Sequence, residues 1–115
     1  MVGLADESLK RTMLFDFYGE LLTDKQREYY DLHYNEDLSL YEIAEQRGVS
    51  RQAVWDIIRR AEAVMLELEE KTGFIARAGR RRRTLEEIRA LVQNLTEDAC
   101  KREILKKLAE LADTN

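Results

Sequence analysis

Apolar residues recur three and four positions apart along most of the chain, the spacing that lays a stripe on one face of an α-helix. Between about Asp6 and Tyr18 the stripe is Leu14, Phe17, Tyr18 and Leu21, with Leu9 and Met13 adjoining, and Gly19 is expected to loosen its end. Thr23-Asp24-Lys25-Gln26 reads as a capping box, the threonine accepting from the third amide and the glutamine reaching back. The helix it opens is predicted to run to about Asn35, with Tyr29, Tyr30, His33 and Tyr34 around its inner face. Ser39-Leu40-Tyr41-Glu42 is a second box, opening a short helix that must stop at Gly48. Ser50 then caps a longer helix, Arg51 to about Thr72, on which Val54, Ile57, Ile58, Ala61, Val64, Met65 and Leu68 form a broad apolar face. At 1.5 Å per residue that face is about 33 Å long, and Gly73 ends it.

Residues 74–83, which hold Gly79 and four consecutive arginines, are the expected linker. Thr84-Leu85-Glu86-Glu87 reads as a third box, whose helix continues through Ile88, Leu91, Val92 and Leu95. Thr96, with Glu97 and Asp98 in the first turn, is expected to start the last helix through Ile104, Leu105, Leu108 and Leu111. The fold predicted is all-α: a helix-turn-helix domain over 1–73 with a long recognition helix, an arginine-rich linker over 74–83, and a C-terminal helical hairpin over 84–115. The absence of proline and the five glycines in 115 residues support it, because a sandwich or barrel needs many more turn residues.

The most informative stretch is Leu38 to Ala61. A helix-turn-helix needs a short first helix with a small residue at the crossing, a glycine in the turn, an apolar residue after it and buried aliphatics on the second helix. Ile43 and Ala44 supply the packing face and the crossing residue. Gly48 stands where the turn demands positive φ, Val49 is expected to plug the corner, Ser50 caps, and Val54 with Ile57 or Ile58 faces inward. In such a unit the second helix enters the DNA major groove with its N-terminal residues at base edges. Arg51, Gln52, Trp55, Asp56, Arg59 and Arg60 then point outward. Arg51 suits guanine and Gln52 adenine, each by bidentate bonds. Arg59 and Arg60 suit phosphate, whereas Asp56 repels phosphate and is useful only against a cytosine amino group. Trp55 is bulky for a groove surface.

Charge qualifies this picture. The net charge is −4, and residues 1–38 carry nine acids against four bases. Residues 39–60 hold four bases and three acids, and residues 77–89 hold six arginines and two acids. Positive charge is therefore confined to the centre and to a basic patch of Arg77, Arg80, Arg81, Arg82 and Arg83, with Arg89 nearby. Such a run either tracks a nucleic-acid backbone or is a solvated linker paired with acids such as Glu67, Glu69 and Glu70.

A resemblance becomes specific along Leu22–Tyr30, Leu38–Glu45 and Gly48–Val54. These runs resemble region 4 of bacterial sigma factors and are more similar still to the YlxM family of small bacterial helix-turn-helix proteins. The likeness covers most of residues 9–112. The resemblance implies a DNA-binding or regulatory factor, linked by gene neighbourhood to the signal recognition particle protein and its receptor. Against sigma region 4, Arg51 is retained, while Ala53, Trp55 and Asp56 stand where that family presents basic or amide side chains.

Other chemistry is not indicated. His33 and Cys100 are the only residues of their kinds. No HExxH, paired metal ligands, nucleophile–base pair or glycine-rich phosphate loop is present, so neither an enzyme nor a metal or other cofactor is expected. No signal peptide or membrane span is visible, and the expected location is the cytoplasm. Tyr29, Tyr30, Tyr34 and Tyr41 are read as core. The long apolar face of 51–72 must be covered, either by the C-terminal hairpin or by a second chain in a homodimer. Two functions remain open: a DNA-binding regulator, or a protein- or RNA-interaction module attached to the signal recognition particle.

Overall fold

A computed structural model describes residues 4–95 and 98–113. Among them every regular element is a helix: α1 (Leu4–Tyr18), a single 3-10 turn (Gly19–Leu21), α2 (Asp24–Tyr34), α3 (Leu40–Arg47), α4 (Arg51–Thr72), α5 (Phe74–Gln93) and α6 (Ala99–Asp113). The chain divides into two compact units, residues 1–73 and 74–115.

In the first unit the helix ends lie where local chemistry puts them. Thr23 Oγ1 accepts from the Gln26 amide at 3.2 Å while Gln26 Oε1 accepts from the Thr23 amide at 3.1 Å. Ser39 and Glu42 repeat the exchange at 3.0 and 2.9 Å, and Ser50 Oγ accepts from the Ala53 amide at 3.0 Å. Gly48 (φ 67°) and Gly73 (φ 65°) close α3 and α4 in the left-handed conformation. Asp37 also takes positive φ, 58°, in the α2–α3 loop. That loop is pinned by His33, whose Nδ1 lies 2.8 Å from the Leu38 carbonyl; a carbonyl only accepts, so the ring nitrogen carries the proton.

Helix α4 is the spine on which α1, α2 and α3 pack. Its residues Val54, Ile58, Ala61 and Met65, four, three and four apart, are fully buried. Leu14 and Tyr18, Leu22, Tyr29 and Tyr30, and Ile43 and Ala44 complete the core. Burying each of the larger apolar side chains contributes about 1.5–3 kcal/mol. Of the two inward candidates after Val54, Ile58 is the buried one and Ile57 is half-buried.

Several apolar expectations need correction. Leu9, Phe17 and Leu21 are exposed, while Phe15 turns inward and stacks on Tyr30 with ring centroids 5.6 Å apart. A periodic stripe shows which residues share a face but not how wide a strip the neighbours cover. Tyr41 is exposed as well, at 58%, and so lies outside the core. Val49 remains 37% exposed; it flanks the corner of the turn without filling it.

Polar groups join the helices at one carboxylate. Glu62 Oε1 accepts from Tyr30 Oη at 2.9 Å and from Arg11 Nε at 3.2 Å, so α1, α2 and α4 meet there. The Arg11 guanidinium also lies over the Tyr34 ring, 4.7 Å from its centroid. Nearer the end of α4, Tyr18 Oη donates to Glu69 Oε1 at 2.6 Å.

The second unit corrects the linker. Residues 74–83 are the first half of α5, and Thr84 lies inside that helix without capping it. Arginine and alanine are strong helix formers, and one interior glycine costs only about 1 kcal/mol. A Thr-x-x-Glu pattern marks a start only where the preceding chain is not already helical. Thr96 lies outside the described residues, and Asp98 caps α6, its Oδ1 accepting from the Lys101 amide at 2.8 Å. Val92 and Leu108 are buried, as is Lys101, whose Nζ donates to the Gln93 and Leu95 carbonyls at 3.2 and 3.3 Å. The ammonium thus binds carbonyls left open at the end of α5, where a cation is favoured.

Candidate nucleic-acid interface

The turn between α3 and α4 is built from backbone. The Gly48 amide bonds back to the Ala44 carbonyl, and the Val49 amide reaches the same oxygen at 3.2 Å, a doubled closure that left-handed glycine permits. A Cβ built on Gly48 would meet nothing within 4 Å. The demand for glycine is therefore conformational, not steric. Ala44 is buried at this point. Across the start of α3, the Ser39 backbone N–H and then its hydroxyl hold the Glu42 carboxyl below its ordinary pKa. Arg47 ties α3 to α2 by a 2.6 Å ion pair with Glu28.

Beyond the turn, Arg51, Gln52, Trp55, Arg59 and Arg60 are all exposed on α4, while Val54 and Ile58 hold the opposite side of the helix in the core. Leu40, Ser50, Arg51, Gln52 and Trp55 line one shallow recess. Trp55 is 37% exposed and lines the recess beside Arg51 and Gln52. Arg59 pairs with Asp56 at 3.2 Å, and Gln52 Nε2 donates to the same carboxylate at 3.0 Å. Two of the five expected contact residues, Gln52 and Arg59, therefore share the Asp56 carboxylate. The i,i+3 and i,i+4 spacings were the signal for those ties. Leu40 went unnoticed because only the turn geometry brings the start of α3 beside the start of α4.

Arg77, Arg80, Arg81, Arg82 and Arg83 belong to the second unit and are exposed on α5. Helical geometry turns successive arginines about 100° apart, so the run encircles the helix and does not form one stripe. Arg81 and Arg82, with Arg89, border a groove floored by Leu85, Leu108 and Leu111, and the Arg77 guanidinium lies over the Phe74 ring at 5.1 Å.

The arrangement of a crossing small residue, a left-handed glycine and an outward-facing second helix matches what comparison with known proteins finds. Residues 5–111 match the family described as "Putative helix-turn-helix protein, YlxM / p13 like", UPF0122. The chain belongs to this family. A UPF0122 protein of Halalkalibacterium halodurans is 47% identical over 89 residues, 77% of this chain and 82% of its own length. Another, from Symbiobacterium thermophilum, is 46% identical over 98 residues, 85% and 92% of the two chains. A third, from Thermoanaerobacter sp., is 42% identical over 107 residues, 93% and 92%. UPF0122 membership supports a DNA- or RNA-interacting regulatory role for this bacterial helix-turn-helix protein. No helix among the described residues is long and apolar enough to cross a membrane.

Proposed function

We propose that this UPF0122 protein is a DNA-binding regulator that takes part in the signal recognition particle pathway. The observation that carries the DNA reading is the Gly48 bend, φ 67°, followed by a helix whose exposed side is Arg51, Gln52, Trp55, Arg59 and Arg60. Arg51 and Gln52 would reach base edges, Arg60 phosphate, and Trp55 a thymine methyl. The pathway assignment is supported by the resemblance to YlxM proteins, and the site of action is then the cytoplasm. A homodimer through α4 and the hairpin is supported by Leu66, Ile88, Leu91, Leu95 and Leu111, all exposed.

Binding of random and selected duplexes at low and physiological salt tests the reading. A regulator retains a sequence preference at the higher salt, and affinity falls steeply as salt rises. Arg51→Ala should weaken the selected duplex about 5- to 150-fold, the range of one bidentate base contact. Negligible binding for every duplex discards it.

A second reading, a protein or RNA module attached to the signal recognition particle, is favoured by Asp56 on the reading face and by the arginines ringing α5. Replacing Arg80–Arg83 with serine should then abolish association with the particle's RNA while leaving duplex binding unchanged.

A further inference from the structure

One carboxylate organises the exposed side of α4. Gln52, Asp56 and Arg59 stand four and three residues apart, on one face of the helix. A single oxygen, Asp56 Oδ1, accepts both the Gln52 amide nitrogen at 3.0 Å and the Arg59 guanidinium at 3.2 Å. Both donors are thereby turned toward the carboxylate. On the carboxylate itself Oδ2 is left for a ligand, and it only accepts. A bidentate adenine contact requires glutamine to donate to N7, which Gln52 does only through its second N–H while the first is held by Asp56.

We infer that Asp56 makes this face selective for a base amino group in the major groove, cytosine N4 foremost. The inference rests on the DNA-binding reading above and names the base chemistry the same face accepts. Among base edges in the major groove only cytosine N4 and adenine N6 donate; guanine O6 and N7 and thymine O4 offer lone pairs. A carboxylate oxygen facing one of those acceptors, or a phosphate, is repelled. It is satisfied opposite an amino group, and aspartate accepting from cytosine N4 is a recognised pairing. The same negative charge weakens binding to any duplex that lacks the amino group at that position, so Asp56 exchanges general affinity for selectivity. Arg59 gives one of its five N–H donors to Asp56 and keeps the others for phosphate.

The experiment compares the full chain with Asp56→Asn, which keeps the shape of the half-buried side chain. Sites are selected from random duplexes. Both proteins are then titrated with the selected site, with that site carrying T·A in place of its fixed C·G pair, and with an unrelated duplex, at two salt concentrations. The wild type should fix one cytosine and lose about 5- to 150-fold on the C-to-T change. Asp56→Asn should bind the unrelated duplex more tightly, show a salt slope steeper by about one, and lose the cytosine preference. A variant that keeps both the preference and the wild-type slope overturns the inference while leaving the DNA reading intact. If neither protein binds any duplex, and circular dichroism shows both folded, the DNA reading falls and the inference falls with it.

Discussion

Tyr30, fully buried on α2, donates its phenol proton to Glu62 on α4 across 2.9 Å. Burial first, and then the hydrogen bond and negative charge of Glu62, push the Tyr30 pKa far above that of an ordinary phenol. The native state therefore favours the protonated phenol. The resulting stabilisation is complete below the unfolded value of about 10 and is lost as pH rises from there toward the native value. Thermal melts between pH 8 and 11 should show Tm falling at the alkaline end, and Tyr30→Phe should flatten that fall. An unchanged alkaline slope in the variant would assign the loss to other groups.

Removing the other partner costs more. Glu62→Ala leaves the Tyr30 hydroxyl buried without its acceptor and Arg11 without its ion pair. We expect a loss of about 1–3 kcal/mol, the penalty of an unsatisfied buried polar group, read from urea unfolding. Glu62→Gln, which still accepts, should recover most of it.

At the turn, Gly48 is needed for its backbone and not for space. Gly48→Val should destabilise by about 1–2 kcal/mol or more and lower duplex affinity in parallel, because the side chain disfavours positive φ. Gly48→Asn should be milder, since asparagine visits the left-handed region readily. Chemical denaturation of the two variants separates this account from crowding, which would penalise both by size.

Strong acid should loosen the start of α3. The Glu42 carboxyl is held below its ordinary pKa by the Ser39 backbone N–H and then its hydroxyl, so its contribution is present above the unfolded carboxylate pKa and lost as pH falls through the lowered native one. Ser39→Ala should cost about 1 kcal/mol at neutral pH. Amide exchange across residues 39–47 should show faster opening at acid pH in the wild type, and little further change in the variant.

In the second unit, Lys101→Met removes the ammonium that donates to the Gln93 and Leu95 carbonyls while preserving bulk. Limited proteolysis should then cut between α5 and α6 faster than in the wild type, with cleavage inside residues 1–73 unaltered. Equal cutting rates would show that the ammonium contributes nothing to the hairpin.

Where a helix begins or ends within the first unit was legible residue by residue. Thr23 with Gln26, Ser39 with Glu42, Ser50 and Gly48 all act over three or four positions, and each does in the fold what its chemistry allows. The outward set on α4 was legible too, because Val54 and Ile58 commit the opposite side to the core. Residues 74–83 are helical because the helical preference of arginine outweighs the breaking signals there, a glycine and like charges. In α1, Phe15 and Phe17 both lie near an apolar stripe, and only the position of α2 selects Phe15 for the interior.

Thus the amino-acid order alone settled the all-α class, the bend at Gly48 and the chemistry offered on either side of it, because capping and left-handed turns involve atoms already joined by a few bonds. Tertiary structure alone decided that Glu62 would gather Tyr30 and Arg11, residues 32 and 51 positions away. Such a meeting depends on how helices cross, and crossing is set by the packing of whole faces, which no local pattern encodes.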